Sequence, residues 1–267
     1  MADQKTLSVK LDIGTWAAAL GLLIQKGLRL GSFIDIGCAD SYFGLAFWRG
    51  GLFRDVAIIN IDANPVYEPT LKKIRDAIGG DYRICAVDER SGTLELHQSA
   101  HPYWASAAPP GDPYWAMING QLGQSTTVPC RTLDSIVEEL ALKPPFAIKL
   151  DIQGLEARAL RGAPRALAST AVVVCEVLVN GFREINAVLE QAGFDLYDLT
   201  DSHRTAEHTL GWFYAIYLHR DYASFRPEKH WQQSQNEEIV AHQHQRRDDM
   251  LARIDDLLAR IKAERAR

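Results

Sequence analysis

The chain has 267 residues, 47% hydrophobic and 24% charged, with a formal net charge of -5 at neutral pH. That length and apolar content suit one α/β domain with an appendage and exclude a disordered polymer. The acidic balance removes the electrostatic footprint of a nonspecific nucleic-acid binder, so no nucleic-acid partner is expected.

Met1 to Asp12 lacks the basic start and unbroken apolar stretch of a secretion signal, and Trp16 to Ile24 is apolar but too short to span a bilayer. The expectation is a cytoplasmic protein without an integral membrane segment, with residues 1–30 as a helical segment ahead of the domain. Ser32 to Gly37 reads as a short apolar strand closed by glycine, and Asp55 to Asp62 as a second strand ending in an acid. Tyr42 to Arg49 between them predicts a helix, and Pro65 to Ile78 another with proline in its first turn. Tyr82 to Val87 is a third strand, followed by the turn Asp88 to Gly92 and by Thr93 to His97, which alternates like a half-exposed strand.

Residues 98–125 form an irregular insertion rich in Pro, Gly, Ala, Tyr and Trp, long enough to carry function. Regular pattern returns with a strand at Thr126 to Arg131, a helix opened by Thr132 and running to Leu140, and a strand at Phe146 to Asp151. A helix from Leu155 to Leu167 and a strand from Ala171 to Val177 continue the alternation. Five βα repeats predict an α/β fold with an open, mostly parallel, doubly wound sheet. Phe194 to Leu199 and Leu210 to Leu218 are joined by a link too short for a helical crossover, so they predict an antiparallel hairpin closing residues 31–228.

Residues 229–267 change to Gln, Glu, Asp and Arg with scattered aliphatics. Val240, Arg247, Ile254 and Ile261, with Gln243, Met250, Leu257 and Glu264, make an imperfect heptad seam. An amphipathic C-terminal helix follows, either packed on its own domain or joining copies as a coiled coil. Cys38, Cys85, Cys130 and Cys175 form no CxxC pair and read as buried thiols.

Ligands of open α/β sheets bind beyond the carboxyl ends of the strands, where the first βα loop is the natural cradle. That loop is Asp35-Ile36-Gly37-Cys38-Ala39-Asp40-Ser41. Gly37 would let the backbone approach a ligand, Asp35 and Asp40 would meet positive charge such as the ammonium and sulfonium of S-adenosylmethionine, and Asp62 would accept two ribose hydroxyls. An acid at this distance also suits a nicotinamide dinucleotide, but the G-x-G-x-x-G set that admits a pyrophosphate is missing. The competing structural role for Asp35 and Asp62 is to cap turns.

The ordered blocks Asp35 to Asp40, Asp62-Ala63-Asn64-Pro65, Thr132-Leu133-Asp134, Lys149-Leu150-Asp151-Ile152-Gln153-Gly154-Leu155-Glu156, Leu160-Arg161-Gly162-Ala163 and Glu176 resemble those of FkbM-type methyltransferases. The resemblance spans roughly Phe33 to Leu199, and its most specific part is the Lys-x-Asp-x-x-Gly-x-Glu block. It implies a class I methyltransferase fold, S-adenosylmethionine as cofactor and O-methylation of sugars or polyketide-type natural products. Cys38, Ala39, Ser41, Ala63 and Asp88 then join Asp35, Gly37, Asp40 and Asp62 as cofactor candidates. Ser41 and Ala39 depart from the family pattern, which usually has a second glycine and an asparagine there.

Methyl transfer to a hydroxyl needs alignment and a base. Asp151 and Glu176 end consecutive strands, and Lys149 shares a strand face with Asp151. A structural alternative pairs Lys149 with Glu156 while Asp151 caps the next helix. His203 and His208 in the hairpin connection are further base candidates, and the oxygen ligands lack a metal-spacing motif, so no metal is assigned. Tyr103, Trp104, Tyr114 and Trp115 in the insertion, near Asp112, Asn119 and Gln121, can stack on a sugar ring or serve as a lid over the core. The expected acceptor is a glycan, a sugar nucleotide or another small molecule. The alternatives are a nicotinamide-dependent oxidoreductase and a non-catalytic assembly subunit working through its C-terminal helix.

Overall fold

The computed structural model describes residues 14–98, 105–109 and 123–226, together with helical positions 241, 245–247 and 249–250. The chain divides into two units, Met1–Phe225 and Arg226–Arg267. The strands of the first unit are β1 (Ser32–Ile36), β2 (Ala57–Asp62), β3 (Asp81–Ile84), β4 (Ala86–Val87), β5 (Gly92–His97), β6 (Ser125–Arg131), β7 (Phe146–Leu150), β8 (Thr170–Leu178), β9 (Phe194–Arg204) and β10 (Leu210–His219). Its α-helices are α1 (Trp16–Gln25), α2 (Tyr42–Arg49), α3 (Glu68–Ile78), α4 (Leu133–Glu139), α5 (Glu156–Arg161), α6 (Pro164–Leu167) and α7 (Phe182–Gln191).

A seven-stranded sheet runs in the order β3-β2-β1-β7-β8-β10-β9, parallel except for β10, which is antiparallel to both neighbours. Every residue of β1 and β7 is buried, which explains their continuous apolar runs. Alternation along the strands sends Phe33, Ala147, Val172, Val174, Ile216 and Leu218 to a face packed with Trp16, Leu20, Leu23 and Phe47 of α1 and α2. The opposite face carries Ile34, Ile36, Ile148, Leu150, Val173 and Cys175 against Leu133, Ile136, Leu160, Ile185 and Leu189 of α4, α5 and α7. Each such aliphatic side chain contributes roughly 1.5–3 kcal/mol on burial, so the two-faced core dominates the stability of the sheet.

Three expected elements are built differently. The third strand breaks at Cys85, whose N–H turns to Asp62 O (2.9 Å), so β3 stays on the main sheet while β4 pairs with β6. The strand at 126–131 therefore belongs to a small second sheet, β4-β6-β5, and not to a fifth βα repeat. The helix expected over 155–167 is two, α5 and α6, because a Cβ at Gly162 would lie 2.3 Å from Asp88 O and Pro164 cannot continue the backbone ladder. Helix α7 was not anticipated, although Phe182, Ile185, Val188 and Leu189 give it an apolar stripe.

The four cysteines are free buried thiols. Among the described residues no helix is long and apolar enough to cross a membrane. Of the expected C-terminal seam, Arg247 and Met250 are helical and exposed; Val240, Gln243, Ile254, Leu257, Ile261 and Glu264 lie outside the described residues.

Candidate functional site

Period-two geometry places a polar row on one face of the sheet near its carboxyl edge. Asp35 pairs in register with Asn60 of β2 and Lys149 of β7, and Tyr214 of β10 pairs with Glu176 of β8. All of them share the face that carries Phe33, Ala147 and Val174. Above this row opens a cavity of about 270 Å³, running from Asp62 and Ala63 past Gly37 and Ala39 to Asp151, Glu176 and Trp212. Ala105, Ser106 and Ala107 of the insertion close another side.

At the β2 end, Asp62 is held by the backbone: Oδ2 accepts from Ala39 N and Oδ1 from Asn64 N, each at 2.8 Å. Burial pushes its pKa up to about 6, against the pull of those two donors. Gly37 has φ +74 and a Cβ there would lie 1.9 Å from Asp151 O, so glycine is demanded by the close approach of the segments that follow β1 and β7 as much as by any ligand. Ala39 and Ser41 also adopt left-handed backbone, at φ +47 and +58. At Ser41, the departure from the family glycine, the buried hydroxyl donates to Asn60 Oδ1 at 2.7 Å.

The β7–β8 end is held by side chains. Buried Lys149 lies 3.3 Å from Asp35 Oδ1 and 3.4 Å from Asp151 Oδ2. Burial opposes its charge, but the carboxylates of Asp35 and Asp151 outweigh it and keep Lys149 protonated. Asp151 also receives Tyr214 Oη (2.6 Å) and Gln153 Nε2 (2.6 Å), and the second hydrogen of that amide reaches Glu176 Oε2 at 2.7 Å. Burial would raise Asp151, yet Lys149 and these donors hold it below the usual carboxylate range. Glu176 moves the other way, well above its ordinary value, through burial and the charge of Asp151. The two acids thus form a pair in which one stays ionised and the other holds or takes a proton.

Glu156 is not the partner of Lys149. Its buried carboxylate accepts from Ile152 N (3.0 Å) and Gly154 N (3.1 and 3.2 Å), and burial pushes its pKa up to about 7. It shapes the turn that carries Gln153 at φ +60. Ser106 Oγ fastens the same turn from the insertion, donating to Gln153 O at 2.7 Å.

Of the residues expected in the site, Gly37, Ala39, Asp62, Ala63, Asp151 and Glu176 line the cavity. Asp35 and Lys149 lie beneath its floor, buried to 1% and 2% exposure. Cys38, Asp40 and Ser41 are not in the lining: the Cys38 thiol faces Ala39 O, Asp40 Oδ1 accepts from Tyr42 N, and Ser41 turns to Asn60. Asp88 is also outside the lining, and its carboxylate is engaged by Arg158 of α5, through Nε at 2.9 Å and through Nη2. His203 and His208 are also outside the lining; His203 lies flat on Trp212, and His208, at φ +64, sits in the hairpin link. Tyr103, Trp104, Tyr114 and Trp115 lie outside the described residues.

Gln153, Tyr214, Trp212 and Ser106 were missed. Tyr214 was unreadable without the β8–β10 register, whereas Gln153 stood in the Lys-x-Asp-x-x-Gly-x-Glu block and could have been weighed there. Among the described residues no group of three or more His, Cys, Asp or Glu is arranged to hold a metal ion.

No curated protein sequence matches the chain. Among solved structures it is similar to an FkbM methyltransferase from Methylobacillus flagellatus KT, at 17% identity and TM-score 0.46, covering 73% of this chain and 45% of that one. The chain thus spans less than half the length of that protein. It is also similar to a precorrin-6y C5,15-methyltransferase from Geobacter metallireducens GS-15 (16% identity, TM-score 0.42, 81% and 91% covered). A third similar structure is a putative tRNA methyltransferase from Streptococcus pneumoniae in complex with S-adenosyl-L-methionine (12%, 0.43, 76% and 72%). The profile of the Methyltransferase FkbM domain matches residues 37–196, from the first loop to the start of β9, more than half of the chain. The chain belongs to the FkbM methyltransferase family, the cofactor of which is S-adenosylmethionine.

Proposed function

We propose that this chain is an O-methyltransferase acting on a sugar hydroxyl, in a glycan or a sugar nucleotide. The observation that carries this reading is the Asp151–Glu176 pair at the end of the cavity remote from Asp62.

The residues present fit the cofactor. Each oxygen of Asp62 has one backbone donor and keeps lone-pair capacity for a ribose hydroxyl. Beneath the floor, Asp35 and Asp151 share the single cation Lys149, and Asp35 Oδ2 is a buried oxygen with no hydrogen-bond partner; burial pushes Asp35 up, a cost that a cationic ligand nearby would offset. When bound, the cofactor supplies an activated methyl on a sulfonium. Asp151, held ionised, orients the acceptor hydroxyl, and Glu176, whose raised pKa makes it a stronger base than an ordinary carboxylate, takes the proton as the new bond forms. Turnover should therefore rise with pH as Glu176 ionises.

The sugar assignment rests on the family resemblance and on the aromatic insertion. The test is turnover on a panel of glycans and sugar nucleotides, read by mass spectrometry for the gain of one methyl, with cofactor binding followed by calorimetry. A methyl gained only by polyketide-type hydroxyls overturns the sugar assignment. Absence of heat with both S-adenosylmethionine and S-adenosylhomocysteine overturns the enzyme reading and favours a non-catalytic subunit.

A further inference from the structure

Trp212 is the one aromatic side chain that the described part of the cavity shows at its acid-pair end. It lies on the same face of β10 as Tyr214 and one step closer to the carboxyl edge, its cross-strand partner being Leu178 where Tyr214 has Glu176. The ring is therefore carried just beyond the carboxylates, four strands from Asp62, or roughly 19 Å at the usual strand spacing. Cofactor recognition at Asp62 leaves this end for the acceptor.

The local backbone is built to hold that ring. Between the pairs Trp212–His203 and Tyr214–Thr200, β9 contains an extra residue, and Asp201 in the bulge adopts φ +48. The bulge is tied down where Asp201 Oδ2 accepts from Trp16 N at 2.7 Å. Bulges re-aim side chains, and here the result is an imidazole lying flat on the indole, centroids 3.7 Å apart at 13°. Tyr214 meets the same indole edge-on at 6.1 Å and 87°. With His203 stacked on one face and Tyr214 set perpendicular to it, the indole is held in place where it lines the cavity.

We infer that Trp212, backed by His203, is the stacking surface for the apolar C–H face of the acceptor sugar, placing a ring hydroxyl at Asp151 and Glu176. This rests on the O-methyltransferase reading above and adds where the acceptor binds. A ring stacked there is excluded from water on one side, while its hydroxyls remain free to meet the carboxylates. His203 accordingly acts through Trp212 as a positioning residue, not as a base.

The test is saturation-transfer NMR on the full-length protein with S-adenosylhomocysteine present, using methyl glycosides of glucose, galactose, mannose and rhamnose as probes and a planar phenol as control. Wild type should transfer saturation to the C–H protons of one ring face of at least one glycoside. Trp212→Leu, which keeps apolar volume without a flat face, should reduce that transfer by about fivefold or more, and His203→Ala by about twofold, with the S-adenosylhomocysteine Kd unchanged as evidence of folding. Transfer equal in all three proteins, transfer to the phenol alone, or none to any glycoside overturns the inference. It is separable from the function itself: a sugar methylated with the same KM by wild type and Trp212→Leu would sink the stacking surface and leave the O-methyltransferase standing.

Discussion

The two ends of the cavity hold carboxylates by opposite means. Asp62 is gripped by two backbone N–H groups of its own and the neighbouring loop, whereas Asp151 and Glu176 are gripped by Lys149, Gln153 and Tyr214. Backbone donors cannot titrate or swing away, so Asp62 is a fixed acceptor suited to recognition. Side-chain donors couple the charges of one group to the next, which lets the second pair divide into an ionised and a proton-holding member.

Removing the shared cation should break the side-chain end most severely. Lys149→Met leaves Asp35 and Asp151 buried without their counter-charge, and we expect a loss of about 3–5 kcal/mol in denaturant unfolding at neutral pH. The deficit should shrink at low pH, where protonation removes the unpaired charges; a pH-independent loss would mean that Lys149 matters only as packing. At the other end, Asp62→Ala should weaken S-adenosylmethionine by roughly 10–100-fold in calorimetry, the worth of charge-assisted hydrogen bonds. With its pKa raised to about 6, Asp62 is ionised above that value, so wild-type affinity should fall as pH drops through 6. The alanine variant should lack this dependence.

Tyr214→Phe sharpens the contrast, because it removes a 2.6 Å donor from Asp151 and touches nothing at Asp62. Turnover should drop roughly tenfold with a shifted pH profile while cofactor Kd stays put. An unchanged profile would separate Tyr214 from the acid pair.

Glu156 is a hybrid, an acid held by backbone N–H groups yet raised to about 7 by burial. The folded state therefore binds more protons than the unfolded state between the ordinary glutamate value and about 7, so this group costs stability as pH rises through that window. Glu156→Gln should gain on wild type in melting temperature from pH 5 to pH 8, and a constant difference would contradict the assignment. The smallest effect belongs to Ser41→Gly. Relief of the left-handed backbone, about 1–2 kcal/mol, opposes loss of the Asn60 hydrogen bond, about 1 kcal/mol, and the net change should stay within about 1 kcal/mol.

Sequence alone determined the parallel α/β core, the closing hairpin, the first loop and the acids at or near the carboxyl ends of β2, β7 and β8, because apolar periodicity and acids beside strand ends are local signals that survive without coordinates. It also placed Lys149 and Asp151 on one face, since alternation is a property of a single strand. Only tertiary structure decided what each acid does. Asp88, which ends β4 much as Asp62 ends β2, is consumed by Arg158 from a helix 70 positions away. Tyr214 reaches Asp151 only because β10 enters antiparallel beside β8, and His203 meets Trp212 only because of one extra residue in β9. Register, bulges and long-range ion pairs arise between segments, and a single strand's pattern carries no record of its partner.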